Sequence, residues 1–249
     1  MQTVTGVIIR DVQVGDNDKI VSVLTREIGL IDVTCKGAMK ITSKSSSSTD
    51  LFMFSKLCIN QNKNRYYLNS AEPINPFYNI RLDLEKFSLA SYFSELIRYS
   101  VLPEQPCDIV TRLMLNCLYF LDNGKVEHRM IKPIFEMRFM CELGHLPALL
   151  GCHICNTYEA DTMYFNLHDG KLTCDECSKV GEITNIVALS PRILDAIRYI
   201  SLIDYKDLFK IKLSIPDRQK LSEITEEYTR LQLSKSFKTL DFYKSILLQ

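Results

Sequence analysis

Apolar and polar residues alternate in short runs along the first third of the chain, which is the pattern of half-buried β-strands. β-Branched and aromatic residues dominate the runs, and Gly-, Asn-, Asp- and Ser-containing stretches separate them. The pattern predicts five strands, at residues 3–14, 19–25, 30–38, 51–61 and 65–74. Five short strands of this kind indicate a small antiparallel barrel, and an OB-fold and an SH3-like barrel both fit.

After Pro76 the apolar residues recur every three or four positions, which is the period of an amphipathic helix. Pro and Gly residues close these periodic segments. The pattern predicts five helices, at residues 79–101, 107–124, 128–144, 190–202 and 216–234. Their apolar stripes are typical of a packed core. The Ser-rich stretch at 43–50 is predicted to be a mobile loop between barrel strands.

Four of the nine cysteines form two Cys-x-x-Cys pairs within GCHICNTYEADTMYFNLHDGKLTCDEC. The pairs are 18 residues apart, which is the ligand spacing of a zinc ribbon. Asn156 tolerates the left-handed backbone of a metal-binding knuckle, and a hairpin turning at Asp169-Gly170 would bring the pairs together. We predict one structural Zn²⁺ per chain, bound by Cys152, Cys155, Cys174 and Cys177.

Two other uses of these cysteines are weaker. A redox-active Cys-x-x-Cys usually occurs as one pair near a βαβ pattern, which the sequence lacks. A catalytic zinc needs an open coordination position, whereas four thiolates close the shell. His153 and His168 lie in the same stretch and are predicted to be surface residues. The remaining five cysteines are scattered among apolar residues and are predicted to be packing residues.

The charges balance overall, with 30 basic and 30 acidic residues, but their distribution is uneven. Between residues 36 and 65 there are six basic residues and only one acidic residue, Asp50, and two tyrosines follow at once. Cations beside aromatic rings suit single-stranded nucleic acid, because they neutralise phosphates and stack on bases. The predicted DNA-binding residues are Lys36, Lys40, Lys44, Lys56, Lys63, Arg65, Tyr66 and Tyr67. A second basic stretch spans residues 206–220.

Several classes of protein do not fit the sequence. The N-terminus carries charges at Arg10, Asp11 and Asp16 in place of the apolar region of a signal peptide. Apolar runs end well short of the roughly 20 residues that span a bilayer. A phosphate-binding loop, a nucleophile elbow and a His-Glu-x-x-His motif are all missing. We therefore expect a cytoplasmic, non-enzymatic protein without membrane contact.

The opening stretch TGVIIRDVQVGDNDKIVSVLTREIGLIDVTCKGAMK resembles the start of the bacterial RecO recombination-repair proteins. The similar features are the turn at residues 15–19, a Thr-x-x-x-Gly step and a Lys-Gly strand end. Further similar segments cover nearly the whole chain, at residues 89–97, 141–155 and 231–247. One departure is Asn156, where the family often has glycine. This change leaves the four cysteines in place and affects only the backbone of the knuckle.

The resemblance implies an α+β protein, with an N-terminal OB-like barrel followed by a helical domain into which a four-cysteine zinc ribbon is inserted. The corresponding boundaries are 1–78 for the OB domain, 79–150 for the first helical part, 151–182 for the ribbon and 183–249 for the second helical part. These boundaries follow the order of the predicted strands, helices and cysteine pairs.

The resemblance also implies a function. Such proteins bind single- and double-stranded DNA, anneal complementary strands and, with RecR, help to place RecA on DNA covered by single-strand-binding protein, with RecF as an indirect partner. An acidic peptide tail needs cations beside an apolar groove. The candidates for this role are Arg98, Arg129, Lys132 and Arg138. Two alternatives stay open, namely a zinc enzyme and a zinc-stabilised protein-interaction scaffold that does not bind DNA.

Overall fold

The computed structural model describes residues 1–40, 43, 45–179 and 185–248. The chain forms two compact units, one of Met1–Lys125 with Phe237–Gln249 and the other of Val126–Ser236. The first unit holds a β-barrel and helices, and the second holds helices and a small sheet. The predicted α+β class is confirmed. The finer domain boundaries remain predictions from the sequence.

The barrel consists of the five strands that the alternation predicts. They are β1 Gln2–Val14, β2 Asp18–Thr25, β3 Leu30–Cys35, β4 Phe54–Asn62 and β5 Arg65–Asn75. The strands close in the order β1-β2-β3-β5-β4, and β4 pairs with β1. β3 and β5 are parallel, while the other pairs are antiparallel. This parallel pair gives the Greek-key closure of an OB-like barrel rather than a simple meander.

Alternate residues of the strands fill the barrel, because successive side chains of a strand point to opposite faces. Gly6 lies where a Cβ atom would come within 2.5 Å of Val23 Cγ1, so only glycine allows β1 and β2 to approach this closely. The core contains Val4, Ile8, Val21, Val23, Ile31, Val33, Cys35, Ala38, Met53, Leu57, Ile59 and Tyr66.

The described residues contain seven α-helices. They are α1 Leu84–Ser100, α2 Asp108–Asn123, α3 His128–Glu142, α4 Asp175–Ser178, α5 Pro191–Leu202, α6 Ile215–Leu233 and α7 Lys238–Leu247. The five predicted helices correspond to α1, α2, α3, α5 and α6. None of the helices in the described part of the chain is long and apolar enough to span a lipid bilayer.

In the first unit, α1, α2 and α7 accompany the barrel. The Asp83 carboxylate caps α1 by accepting a hydrogen bond from the backbone N–H of Lys86, at 3.1 Å. Thr111 of α2 donates its hydroxyl to the carbonyl oxygen of Thr25 at the end of β2, at 3.1 Å. Phe237, just before α7, packs edge-on against Tyr92 and Tyr99 of α1. The Thr111 contact therefore joins α2 to the barrel, and the Phe237 contacts join the start of α7 to α1.

The Ser-rich stretch lies between β3 and β4, as predicted. Its described part is folded, however, because Ser47–Thr49 forms a 3-10 helix in which Ser48 and Thr49 are buried. Ser55 of β4 donates a hydrogen bond to the carbonyl oxygen of Ser48, at 2.7 Å. Residues 45–50 therefore pack on the barrel, in contrast to the predicted mobile loop.

The second unit contains a four-stranded sheet in the order β6-β8-β7-β9. Its strands are β6 Ala148–Cys152, β7 Met163–Asn166, β8 Lys171–Cys174 and β9 Ile186–Leu189. β7 and β8 form the predicted hairpin, with Gly170 at φ +66° in its turn. β6 and β9 were not predicted, because runs of four or five residues give little periodic signal. α3 packs against α5 and α6 beside this sheet.

Candidate metal centre and nucleic-acid interface

The four paired cysteines meet at one end of the small sheet. Cys152 ends β6, Cys174 ends β8, and Cys155 and Cys177 follow one turn after each of them. All four sulfur atoms lie within 4.8 Å of one another, and the Sγ atoms of Cys155 and Cys174 are 3.6 Å apart. A tetrahedral ion with metal–sulfur bonds of about 2.3 Å separates its sulfur ligands by about 3.8 Å. The cluster therefore fits a single tetrahedral metal ion.

The backbone of the first knuckle is held by its own hydrogen bonds. The N–H of Asn156 donates to the carbonyl oxygen of Cys152 at 2.9 Å, and the N–H of Cys152 donates to the carbonyl oxygen of Thr157 at 2.8 Å. Asn156 adopts the predicted left-handed conformation, at φ 64°. A Cβ atom at Gly151 would lie 2.8 Å from the Thr157 oxygen, so the chain needs glycine there to fold back.

The surroundings of Cys152 favour its thiolate. Burial raises the pKa of this thiol, but backbone N–H groups of the two knuckles outweigh burial and lower the pKa to about 6. Metal ligands of this type bind as thiolates. Neither histidine of the segment belongs to the cluster: His153 contacts the carbonyl oxygen of Leu172 at 2.9 Å, and His168 pairs with Asp169 at 3.0 Å. Both are exposed, as predicted.

On the barrel, register brings four residues that are distant in sequence into one row. Val12 pairs with Ile20, Ile20 with Thr34, and Thr34 with Tyr67. Because paired residues of neighbouring strands share a face, their side chains form a strip across β1, β2, β3 and β5. We call Val12, Ile20, Thr34 and Tyr67 the wall strip. All four are at least partly exposed, so the strip offers apolar and aromatic surface on the outside of the barrel.

Two of the predicted cations lie beside this strip. Lys36 follows Thr34 by two residues, and its Nζ atom lies 5.4 Å from the centre of the Tyr67 ring. Lys40 is placed next to it by a turn in which the N–H of Lys40 donates to the carbonyl oxygen of Gly37, at 3.1 Å. Both lysines are exposed. An aromatic face beside a cation, with a second cation in the adjoining turn, suits single-stranded nucleic acids.

Two family models together match nearly the whole chain. Residues 1–77 match the model of the recombination protein O N terminal region, and residues 81–241 match that of its C terminal region. The chain belongs to the RecO family. Three similar proteins carry the name DNA repair protein RecO. The protein from Acetivibrio thermocellus is 27% identical, over 97% of this chain and 96% of its own length. The proteins from Caldicellulosiruptor bescii and Caldicellulosiruptor saccharolyticus are 29% and 27% identical, each over 97% of both chains.

The RecO chain does not bring all predicted DNA-binding residues together. Lys63 and Arg65 precede Tyr67 in the sequence, whereas Lys36 follows Thr34. Because β3 and β5 are parallel, Lys63 and Arg65 lie on one side of the wall strip and Lys36 lies on the other. Lys56 lies on β4 and pairs with Glu72 of β5. It is four residues from Asn60, the strand partner of Tyr67. Lys44 lies outside the described residues. None of the five described cations forms an ion pair with another described residue.

Tyr66 does not join Tyr67 on the outside of the RecO barrel. Its side chain is only 7% exposed and belongs to the barrel core, because neighbouring residues of a strand point to opposite faces. This burial removes Tyr66 from the predicted stacking surface. Tyr67 alone presents a ring beside the lysines.

The second basic stretch is largely neutralised by neighbouring carboxylates. Lys210 pairs with Asp207 at 2.6 Å, and Lys220 pairs with Glu223 at 3.6 Å. Arg218 is 9% exposed and pairs with Glu127. Since its charges are already balanced, this stretch has less electrostatic attraction for phosphates than the barrel lysines do.

The candidates for an acidic tail are divided between the two units. Arg98 belongs to the first unit and the other three to the second. Lys132 is 3% exposed and pairs with Glu136 at 3.0 Å and Glu226 at 3.0 Å. Arg138 donates to Glu142 and to the carbonyl oxygens of residues 200, 201 and 203. The polar groups of Lys132 and Arg138 therefore hold helices together, which corrects their placement at a peptide surface. Arg129 is exposed.

Proposed function

We propose that this RecO chain is a DNA-binding recombination-repair mediator of the cytoplasm. It anneals complementary single strands and, with RecR, helps to load RecA onto DNA coated by single-strand-binding protein. The observation that carries the DNA-binding part is the wall strip, with Lys36 beside Tyr67 and Lys40 in the turn that follows β3. Cations without internal ion pairs attract phosphates, and an exposed ring stacks on bases.

Annealing requires only a surface that holds two strands close together, and a cationic barrel wall is suited to this. Two complementary strands repel each other through their phosphates, and a cationic surface that binds both lowers this repulsion. Base pairing then supplies the free energy, so no catalytic residue is required. Because the strip has no fixed hydrogen-bonding pattern for base edges, we expect little sequence preference.

We further propose that the four-cysteine cluster holds one Zn²⁺ ion with a structural role. Four thiolates complete the coordination shell of zinc and leave no position for a substrate or for an activated water. The ion would join the end of β8 to the turn after β6, next to the hydrogen bonds that His153 makes with Leu172 and Thr173. Binding of RecR and of the acidic tail of single-strand-binding protein belongs to the same proposal, with Arg129 as the candidate for the tail.

The DNA-binding surface is tested by removing its charge. We expect the double variant Lys36→Gln and Lys40→Gln to lower the slope of log affinity against log salt by about 1.4, since each lost phosphate contact on a single strand lowers it by about 0.7. Annealing slows in parallel. The measurement is a titration of fluorescent oligothymidylate at several salt concentrations.

The matched control changes the same total charge in the other basic stretch, as Lys206→Gln and Lys212→Gln. We expect this control to keep the parent slope. Equal losses in both variants would place the DNA elsewhere, and a parent protein that binds no DNA at low salt would favour the protein-interaction scaffold.

A further inference from the structure

A second row of residues crosses the barrel next to the wall strip. Arg10 pairs with Ser22 of β2, and Ser22 pairs with Asp32 of β3. Each lies two residues from a member of the strip, so the row runs about 7 Å from it, on the side away from Lys36. This row therefore borders the proposed DNA-binding surface on its other side.

Arg98 of α1 reaches the same place. It lines a cavity of about 340 Å³ together with the polar residues Ser22, Asp32, Asn64 and Glu104. Arg10 is the strand partner of Ser22, so this β1 residue is the neighbour of a residue that lines the cavity with Arg98. Partial burial lowers the pKa of Arg98, and the positive charge of Arg10 lowers it further. The two arginines are thus close enough to repel each other.

Neither arginine is neutralised by an ion pair of its own. Within the described residues, Arg10 and Arg98 form no salt bridge within 4 Å, although Asp32 and Glu95 weakly attract Arg98. The Asp32 carboxylate instead accepts a hydrogen bond from the Ser22 hydroxyl, at 2.6 Å. The carboxylates of Asp32 and Glu104 line the cavity with Arg98 but form no ion pair with either arginine, so an external anion would relieve the repulsion between the two guanidinium groups.

We propose that Arg10 and Arg98 bind backbone phosphates of a single DNA strand across the wall strip from Lys36. The strand then crosses the barrel wall with its bases on Val12, Ile20 and Tyr67 and its phosphates held on both sides. Asp32 and Lys36 are four residues apart on β3, so the two phosphate positions are separated by about 13 Å along the strand direction. This inference rests on the proposed function and gives the DNA a defined path.

The first test removes both charges, as Arg10→Gln and Arg98→Gln. We expect the salt slope for oligothymidylate to fall by about 1.4 and the metal content and melting temperature to stay those of the parent. An unchanged slope in this variant, with a reduced slope in the Lys36→Gln and Lys40→Gln variant, overturns the inference and leaves the proposed function intact. If both variants bind oligothymidylate as the parent does, the barrel wall is not the DNA-binding surface.

A variant that is expected to bind DNA more tightly distinguishes a local charge effect from general damage to the fold. Asp32→Asn keeps a group that can accept the Ser22 hydrogen bond but removes a negative charge from the path. We expect this variant to bind oligothymidylate more tightly than the parent, most of all at low salt, because repulsion of the phosphates is lost. Weaker or unchanged binding contradicts the proposed path.

The base positions are tested by fluorescence, because the chain contains no tryptophan. Val12 is 36% exposed, so Val12→Trp places one indole on the wall strip. We expect oligothymidylate to quench this indole by stacking on it, as is usual at such surfaces. Tyr119→Trp, on the exposed surface of α2, is the matched control and keeps its emission. Equal quenching at both positions, or none at Val12→Trp, overturns the inference.

Discussion

Replacement of Cys174 by Ser is expected to abolish metal binding and to unfold the small sheet of the second unit. Cys174 is 2% exposed, ends β8 and lies 3.6 Å from the sulfur atom of Cys155. The strands of this sheet have only four or five residues, so few ladder hydrogen bonds hold it and the metal is expected to supply much of its stability. Structural zinc sites contribute an apparent 10–16 kcal/mol, so loss of one ligand removes most of that support.

Metal analysis and limited proteolysis measure this effect. We expect about one zinc per chain in the parent protein and none in the variant, with new cleavage within residues 148–179. Cys58→Ser is the matched control, because Cys58 lies on β4 outside the cluster and its replacement should leave the zinc in place. A Cys174→Ser protein with the parent zinc content, or a parent protein that is stable and free of zinc, contradicts the structural role.

Lys132→Met is expected to lower the free energy of unfolding by about 3–5 kcal/mol, the usual result of breaking a buried ion pair from one side. The Lys132 ammonium lies 3.0 Å from Glu136, which is fully buried, and it also donates to the Ser222 hydroxyl at 3.1 Å. The substitution removes the Lys132 cation, whereas the Glu136 carboxylate stays buried. Urea denaturation of the two proteins measures the difference.

The pH dependence identifies Glu136 as the cause. Burial raises the pKa of Glu136 above its ordinary 4.5, whereas Lys132 and a hydrogen bond from Thr225 lower it. Without Lys132 the folded state takes up a proton more readily than the unfolded state, so the variant loses stability as the pH rises through the raised pKa. We expect the defect to be smaller at low pH, and adding Glu136→Gln should reduce it. A pH-independent defect would point to lost packing instead.

Local patterns in the sequence predict most of the fold. The five barrel strands follow from the period of two, and their ends differ from the predicted ones by a few residues. The four-cysteine cluster follows from spacing alone, because two knuckles joined by a hairpin have few ways to close. Asn156 and Gly170 mark the required left-handed positions, and both adopt them.

The remaining features depend on contacts between distant residues. The wall strip exists only through strand register, which joins Val12 to Tyr67 across two intervening strands. Tyr66 and Tyr67 are adjacent in sequence, but the pleat places one inside and one outside. Lys132 was predicted to bind an acidic tail, but it is 3% exposed and pairs with Glu226 of α6, which is distant in sequence. Charge counts along the chain cannot reveal such pairs.

Photo-cross-linking tests the central claim, that a single strand of DNA lies on the barrel wall, most directly. Oligonucleotides that contain 5-iodouracil are irradiated with the full-length protein at moderate salt, and the cross-linked peptides are identified by mass spectrometry. We predict cross-links to Tyr67 and to the β1 and β3 peptides that contain Val12 and Lys36, and their loss in the Lys36→Gln and Lys40→Gln variant. Cross-links confined to residues 206–220 or to α3 would contradict the account.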